Sequence, residues 1–302
     1  MIEMKMGKVS MCMKRTFLAK LQRSALYCLI GALLLVLGVP LYQFIVLNPA
    51  GYSGALNTLV QTLRWINGHG LLFAGYRALL VAGFALMLGM PFALFRIIVA
   101  QEIIGRAEIE EQDAGIEVER EETEETEKQA EEKSAPDEQA RQGQQEDEPD
   151  GMPEFAWRGK GYAVIAAWTG LLGLLFFAAG TLASSIYLLS SAASLVSQHG
   201  GDTAPLTGLF TILTFTAGGG LLALSSLFFG AVIARSGRGL WPGSWVIFGY
   251  VALALAALMS GSAVEVAFAP TTGQAVLSTP AILLFALWAL WFGVMVVRLK
   301  PE

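Results

Sequence analysis

The chain has 302 residues, 54% of them apolar against 15% charged, with a mean hydropathy of +0.55 and a formal net charge of −5. Soluble domains break their apolar runs with charge every few residues; here several runs reach about 20 residues with at most one charge, enough to cross a hydrocarbon core. No P-loop, HExxH, GxSxG or dinucleotide fingerprint accompanies them, so the expectation is an all-α integral membrane protein that is not an enzyme, needs no cofactor or metal and binds no nucleic acid.

A basic lead of Lys5, Lys8, Lys14, Arg15, Lys20 and Arg23 fills residues 1–23. The apolar stretch after it runs past 20 residues without a small-x-small cleavage site, so it reads as a retained anchor. Six spans are predicted, at about 24–47, 71–99, 161–190, 206–233, 245–268 and 279–298. Cys12 and Cys28 imply no disulfide framework. Pro40 and Pro91 should kink the first two spans.

Asn48-Pro49 stops the first span. Between it and the second, Leu56, Leu59, Val60, Leu63 and Ile66 recur at helical spacing opposite Asn57, Thr58, Gln61 and Arg64. That pattern predicts a short helix lying in the interface, inside a two-helix hairpin over 24–100.

Residues 101–155 hold 21 Asp and Glu against five Lys and Arg; the rest of the chain holds 15 basic residues against four acidic ones. Segment 101–158 therefore reads as a long acidic linker, largely disordered from about 134, where Pro136, Gly143, Pro149, Gly151 and Pro153 punctuate a stretch too polar to bury. It is either a partner-binding element or a solvated spacer. A four-helix transmembrane bundle over 159–302 completes a 2 + 4 arrangement of six helices.

Loop charge orients the spans. Arg96, Arg106, Arg158, Lys160, Arg235, Arg238, Arg298, Lys300 and the basic lead fall on one side, against Arg64 alone on the other. The positive-inside rule then puts both termini and the linker in the cytoplasm of a plasma-membrane protein.

Two ionisable residues fall inside spans, Arg77 and Glu265, at matching depths of about 8–9 Å below the outer surface. They either form an intramembrane ion pair, or Arg77 snorkels while Glu265 stays near headgroups. In the fourth span Thr207, Thr211 and Thr214 line one face above Gly218, Gly219 and Gly220, a pathway for a transporter or a packing face. The stripes Ala252–Ala256–Ser260 and Ala74–Ala78–Ala82 read as helix contacts. Trp157, Trp241 and Trp245 read as an inner aromatic belt, Trp65 as an outer one, and Trp288 and Trp291 as packing. His69 and His199 sit beside glycine and read as loop polarity rather than haem ligands. Pro205 and Pro280 mark helix first turns, with Thr279 as the natural cap of the last helix.

These features favour an accessory, scaffold or assembly component, whose partners are the bilayer and a protein bound to the acidic segment or the bundle. The alternative is a small transporter or channel using Arg77, Glu265 and the Thr/Gly face.

Overall fold

In lipid the backbone must satisfy its own polar groups, and a single apolar segment does so only as a helix. The computed structural model describes residues 19–52, 59–101, 154–195, 204–268 and 277–298, without the side chains of 154–160, 195, 204–206 and 236–240. Six helices are long and apolar enough to cross a membrane, and no strand occurs among the described residues. Helix α1 is Ala19–Leu47 and α2 is Leu59–Gln101. Helix α3 is Glu154–Leu195. Helix α4 runs from Ala204–Thr211 through a π-helical stretch, Ile212–Gly218, into Gly219–Leu240. Helices α5, Gly243–Phe268, and α6, Ser278–Val297, follow. The acidic linker, the basic lead, His199 and Asp202 lie outside the described residues.

Both prolines rewind their helices locally. A proline ring crowds the carbonyl four residues back, Val36 for Pro40 and Met87 for Pro91. Val36 lies in a π-helical stretch, Leu34–Gly38, and Met87 opens a 3-10 turn, Met87–Gly89. Each distortion takes up the lost hydrogen bond without ending the helix. Helix α1 does end at Asn48. There Gly51, at φ +84°, turns the chain, and the Tyr52 N–H donates to the Leu47 carbonyl at 2.9 Å. Glycine tolerates that φ without penalty.

Consecutive helices pack antiparallel, and α6 returns to α1. Gly293 faces Ala25 and Leu29, and the Cys28 Sγ lies 3.6 Å from the Ala289 carbonyl. The two-helix and four-helix pieces therefore share one core, in which Phe84, Phe177, Phe229, Phe248 and Phe292 are among the largest buried side chains. The outward surface is apolar as well: Leu37, Phe44, Ile45, Trp168, Ile186 and Tyr250 are all exposed. A surface of that kind suits contact with lipid chains.

The second span differs from expectation. The helix foreseen at the interface is continuous with it, and His69, at φ −132° and ψ 33°, marks a bend between the two parts. This extension buries Leu63 and Ile66, together with Phe73 beyond the bend, against Leu188 and Ala192 at the far end of α3. It finds that partner because α3 has 42 residues, about 63 Å at 1.5 Å per residue, roughly twice the hydrocarbon thickness.

Candidate functional site

Arg77 lies where the loop-end part of α2 meets α1 and α3. Its guanidinium sits 5.1 Å from the centroid of the Phe73 ring, one turn earlier on the same helix. Tyr76 precedes it on α2, and Tyr52 approaches this part of α2 from the end of α1. Tyr52 arrives there because the Gly51 turn folds it onto Trp65, with ring centroids 4.7 Å apart; the Trp65 Nε1 donates to the Ala50 carbonyl at 2.7 Å. His69 extends the stack, 4.9 Å from Trp65, with its Nδ1 3.2 Å from the Trp65 carbonyl. Among the described residues, one buried side-chain polar atom lacks a hydrogen-bond partner: the Nε of Arg77.

Glu265 is elsewhere. The part of α2 that carries Arg77, Leu59–Leu86, is not a packed neighbour of α5, which carries Glu265. The Glu265 Oε2 accepts the Leu277 N–H at 3.0 Å, at the start of α6. A carboxylate there satisfies an amide that the helix cannot and complements the positive helix end. Thr279 is the expected cap, but α6 starts with no side-chain cap of its own. Ser278 instead pairs with Ser262 of α5 at 2.7 Å, so two polar contacts join the α5–α6 hairpin at one end. Glu265→Ala should lower stability by about 1 kcal/mol, as loss of a helix cap typically does, and Glu265→Gln by less. Unfolding of the purified protein by SDS titration measures both.

The threonine face of α4 turns its hydroxyls back on the helix. Thr211 Oγ1 donates to the Thr207 carbonyl and Thr214 Oγ1 to the Phe210 carbonyl, each at 2.8 Å. These bonds fall at and just before the π-helical stretch. Thr216, on another side, bridges to the Ala263 carbonyl of α5 at 3.2 Å. Of the glycine triplet, Gly218 is buried against Phe177 and the Gly173 carbonyl of α3. Gly219 just reaches Ala263, and a Cβ on Gly220 would meet nothing within 4 Å.

At the centre, Met90, Leu94, Gly170, Ser225, Phe285 and Trp288 are among the residues around a crevice with room for about one water molecule. Its hydroxyls are engaged. Ser225 donates to the Ala166 carbonyl across the α3–α4 contact and Ser226 to the Leu222 carbonyl, both at 2.7 Å. Trp288 is buried, stacked 4.8 Å from Phe248 and bonded through Nε1 to the Phe248 carbonyl at 3.2 Å. Trp241 and Trp245, expected in an interfacial belt, are buried beside each other instead. The Ala252–Ala256 stripe is buried, whereas Ala78 and Ala82 face outward. The α1–α2 contact uses Gly31 and Gly83 in their place.

Among the described residues, no group of three or more His, Cys, Asp or Glu side chains gathers where it could hold a metal ion. No family model matches the chain, and neither a curated protein nor a solved structure is similar to it.

Proposed function

We propose that this is a non-enzymatic multipass protein of the plasma membrane, an accessory, scaffold or assembly component. Its termini and acidic segment would face the cytoplasm, where that segment engages a protein partner or keeps its flanking helices apart. The observation that supports this reading is the close packing at the centre of the described helices. The crevice at the middle of the helices is apolar, holds about one water, and has its serines bonded to backbone carbonyls. A transporter needs a continuous polar path, whereas a scaffold can be dry throughout. The loop-charge asymmetry of the sequence supports the orientation.

The alternative, a small transporter or channel, draws on the π-helical stretch Ile212–Gly218, a distortion that often marks functional sites. Single cysteines along α4 and α5, probed with a membrane-impermeant maleimide, separate the two. Positions 214, 226, 252 and 256 should stay unlabelled while the helix ends react. An unbroken labelled line from Thr207 through Thr214 to Ser226 would sink the scaffold reading. Co-purification from native membranes then identifies the partner.

A further inference from the structure

The loop-end part of α2, residues 59–68, meets the span at a bend and packs into a core of its own. The bend is at His69, with Gly68 and Gly70 on either side. A Cβ on Gly68 would meet nothing within 4 Å, and one on Gly70 would make ordinary contact with Leu189 at 3.6 Å. The bend therefore has room to change angle. Few side chains hold the part beyond it. Leu63 and Ile66 are buried with Phe73, Leu188 and Ala192 in a cluster separate from the main core. Val60, Arg64 and Asn67 are exposed. A helix shorter than about 12–15 residues is marginal in water without such packing.

Trp65 fastens this part to the end of α1. Its Nε1 donates to the Ala50 carbonyl at 2.7 Å, and its ring lies 4.7 Å from that of Tyr52. A Cβ on Gly51, in the turn between them, would stand 3.9 Å from the same nitrogen. The indole also stacks on His69, with centroids 4.9 Å apart and planes 14° from parallel. The His69 Nδ1 lies 3.2 Å from the Trp65 carbonyl. One side chain thus joins the turn that anchors the segment to the bend on which it would move.

We propose that residues 59–68 form a hinged arm that opens about residues 68–70 while the span stays in place, with Trp65 as its latch. Opening parts Leu63 and Ile66 from Phe73, Leu188 and Ala192, and bares the apolar loop end of α3. Segments that open in this way are drawn from the least stable part of a fold, and a small satellite core beside a bend is such a part. The arm lies outside the main core, so it works in the same way in a scaffold and in a transporter.

Thiol modification of the full-length protein in lipid nanodiscs tests it, with a membrane-impermeant maleimide and Cys12→Ser as background. Ala192→Cys places a thiol in the cluster the arm covers, where Ala192 is 1% exposed. Cys28, fully buried in the main core, reports any wider opening of the bundle. The thiol of Ala192→Cys should be modified while Cys28 is not. Trp65→Phe keeps a ring and removes the bond to Ala50; it should speed modification about three- to tenfold, the ratio that one neutral hydrogen bond supplies. Trp65→Ala removes the stacking as well and should speed it at least about thirtyfold. Trp65→Phe carries the comparison if Trp65→Ala does not fold. No modification of Ala192→Cys in any variant, a rate that Trp65 does not move, or equal acceleration of Cys28 overturns the proposal.

Discussion

Phe248→Ala should be the most damaging single truncation in the bundle, lowering the unfolding free energy by about 3–5 kcal/mol. Phe248 is fully buried on α5, and its ring is packed on several sides. It stacks on Trp288 at 4.8 Å, meets Trp245 at 5.6 Å and Trp291 at 6.0 Å edge-on, and lies 6.3 Å from Phe292. Its own carbonyl accepts the Trp288 Nε1 bond, so a shift of this turn disturbs the polar contact as well. In a bilayer the unfolded reference keeps its helices in lipid, and transfer from water contributes little. Lost dispersion contacts and the cavity remain, which places the effect nearer the lower figure. SDS titration gives the stability, and tryptophan emission gives a local reading, because Trp245 and Trp288 line the space left behind. Phe268→Ala on the same helix is the control. That ring is 87% exposed at the helix end, and its loss should change stability by about 0.5 kcal/mol or less. Equal effects at the two positions would mean that α5 is not held by this aromatic cluster.

The number and order of the helices were legible because an apolar run without charge has a single outcome in lipid. The same property hid which way each helix faces. In water a polar stripe marks the exposed side, but a lipid-facing side is as apolar as a buried one. Ala74, Ala78 and Ala82 have the spacing of a contact stripe, yet Ala78 and Ala82 look outward while Gly83 makes the contact with α1. Trp241 and Trp245 have the position of belt residues, but the hairpin carries them into the core. Small and hydroxyl residues end α3, in the run Ser190-Ser191-Ala192-Ala193-Ser194, and this polarity concealed that Leu188 and Ala192 there receive the Leu63–Ile66 extension of α2.

The site residues divide along similar lines. The backbonding of Thr211 and Thr214 follows from local spacing and was visible in advance as one of two readings. The role of Glu265 was not, because its acceptor function depends on where the α5–α6 connection returns, twelve residues later. The setting of Arg77 depends on the positive-φ turn at Gly51, which brings Tyr52 across from the end of α1. A glycine in the sequence shows that such a turn is allowed, and says nothing of what it delivers.

Gly31→Ala should weaken the α1–α2 contact by about 1–3 kcal/mol, and Gly31→Leu should displace α1 from the bundle. A Cβ at Gly31 would fall 2.6 Å from the carbonyl oxygen of Gly83 and 3.0 Å from Leu86 and Met87. That oxygen belongs to the backbone of α2 and cannot rotate away, so the helices themselves must part. Gly83→Ala should cost less. The atoms it meets at 2.6–2.7 Å are the branched end of Leu35, which has another rotamer to adopt. Gly220→Ala, which meets nothing within 4 Å, should be neutral or slightly stabilising, since alanine favours helix over glycine. The series therefore separates two uses of glycine in this chain. If close approach is the reason for glycine, the stability losses should fall in the order Gly31, Gly83, Gly220, following the room each site leaves for a methyl group. If freedom of the backbone is the reason, as a gated pathway through α4 would require, Gly220→Ala should be as harmful as Gly31→Ala despite its open surroundings. Unfolding of the three variants beside wild type distinguishes these outcomes, and the second pattern would move the transporter reading ahead of the scaffold.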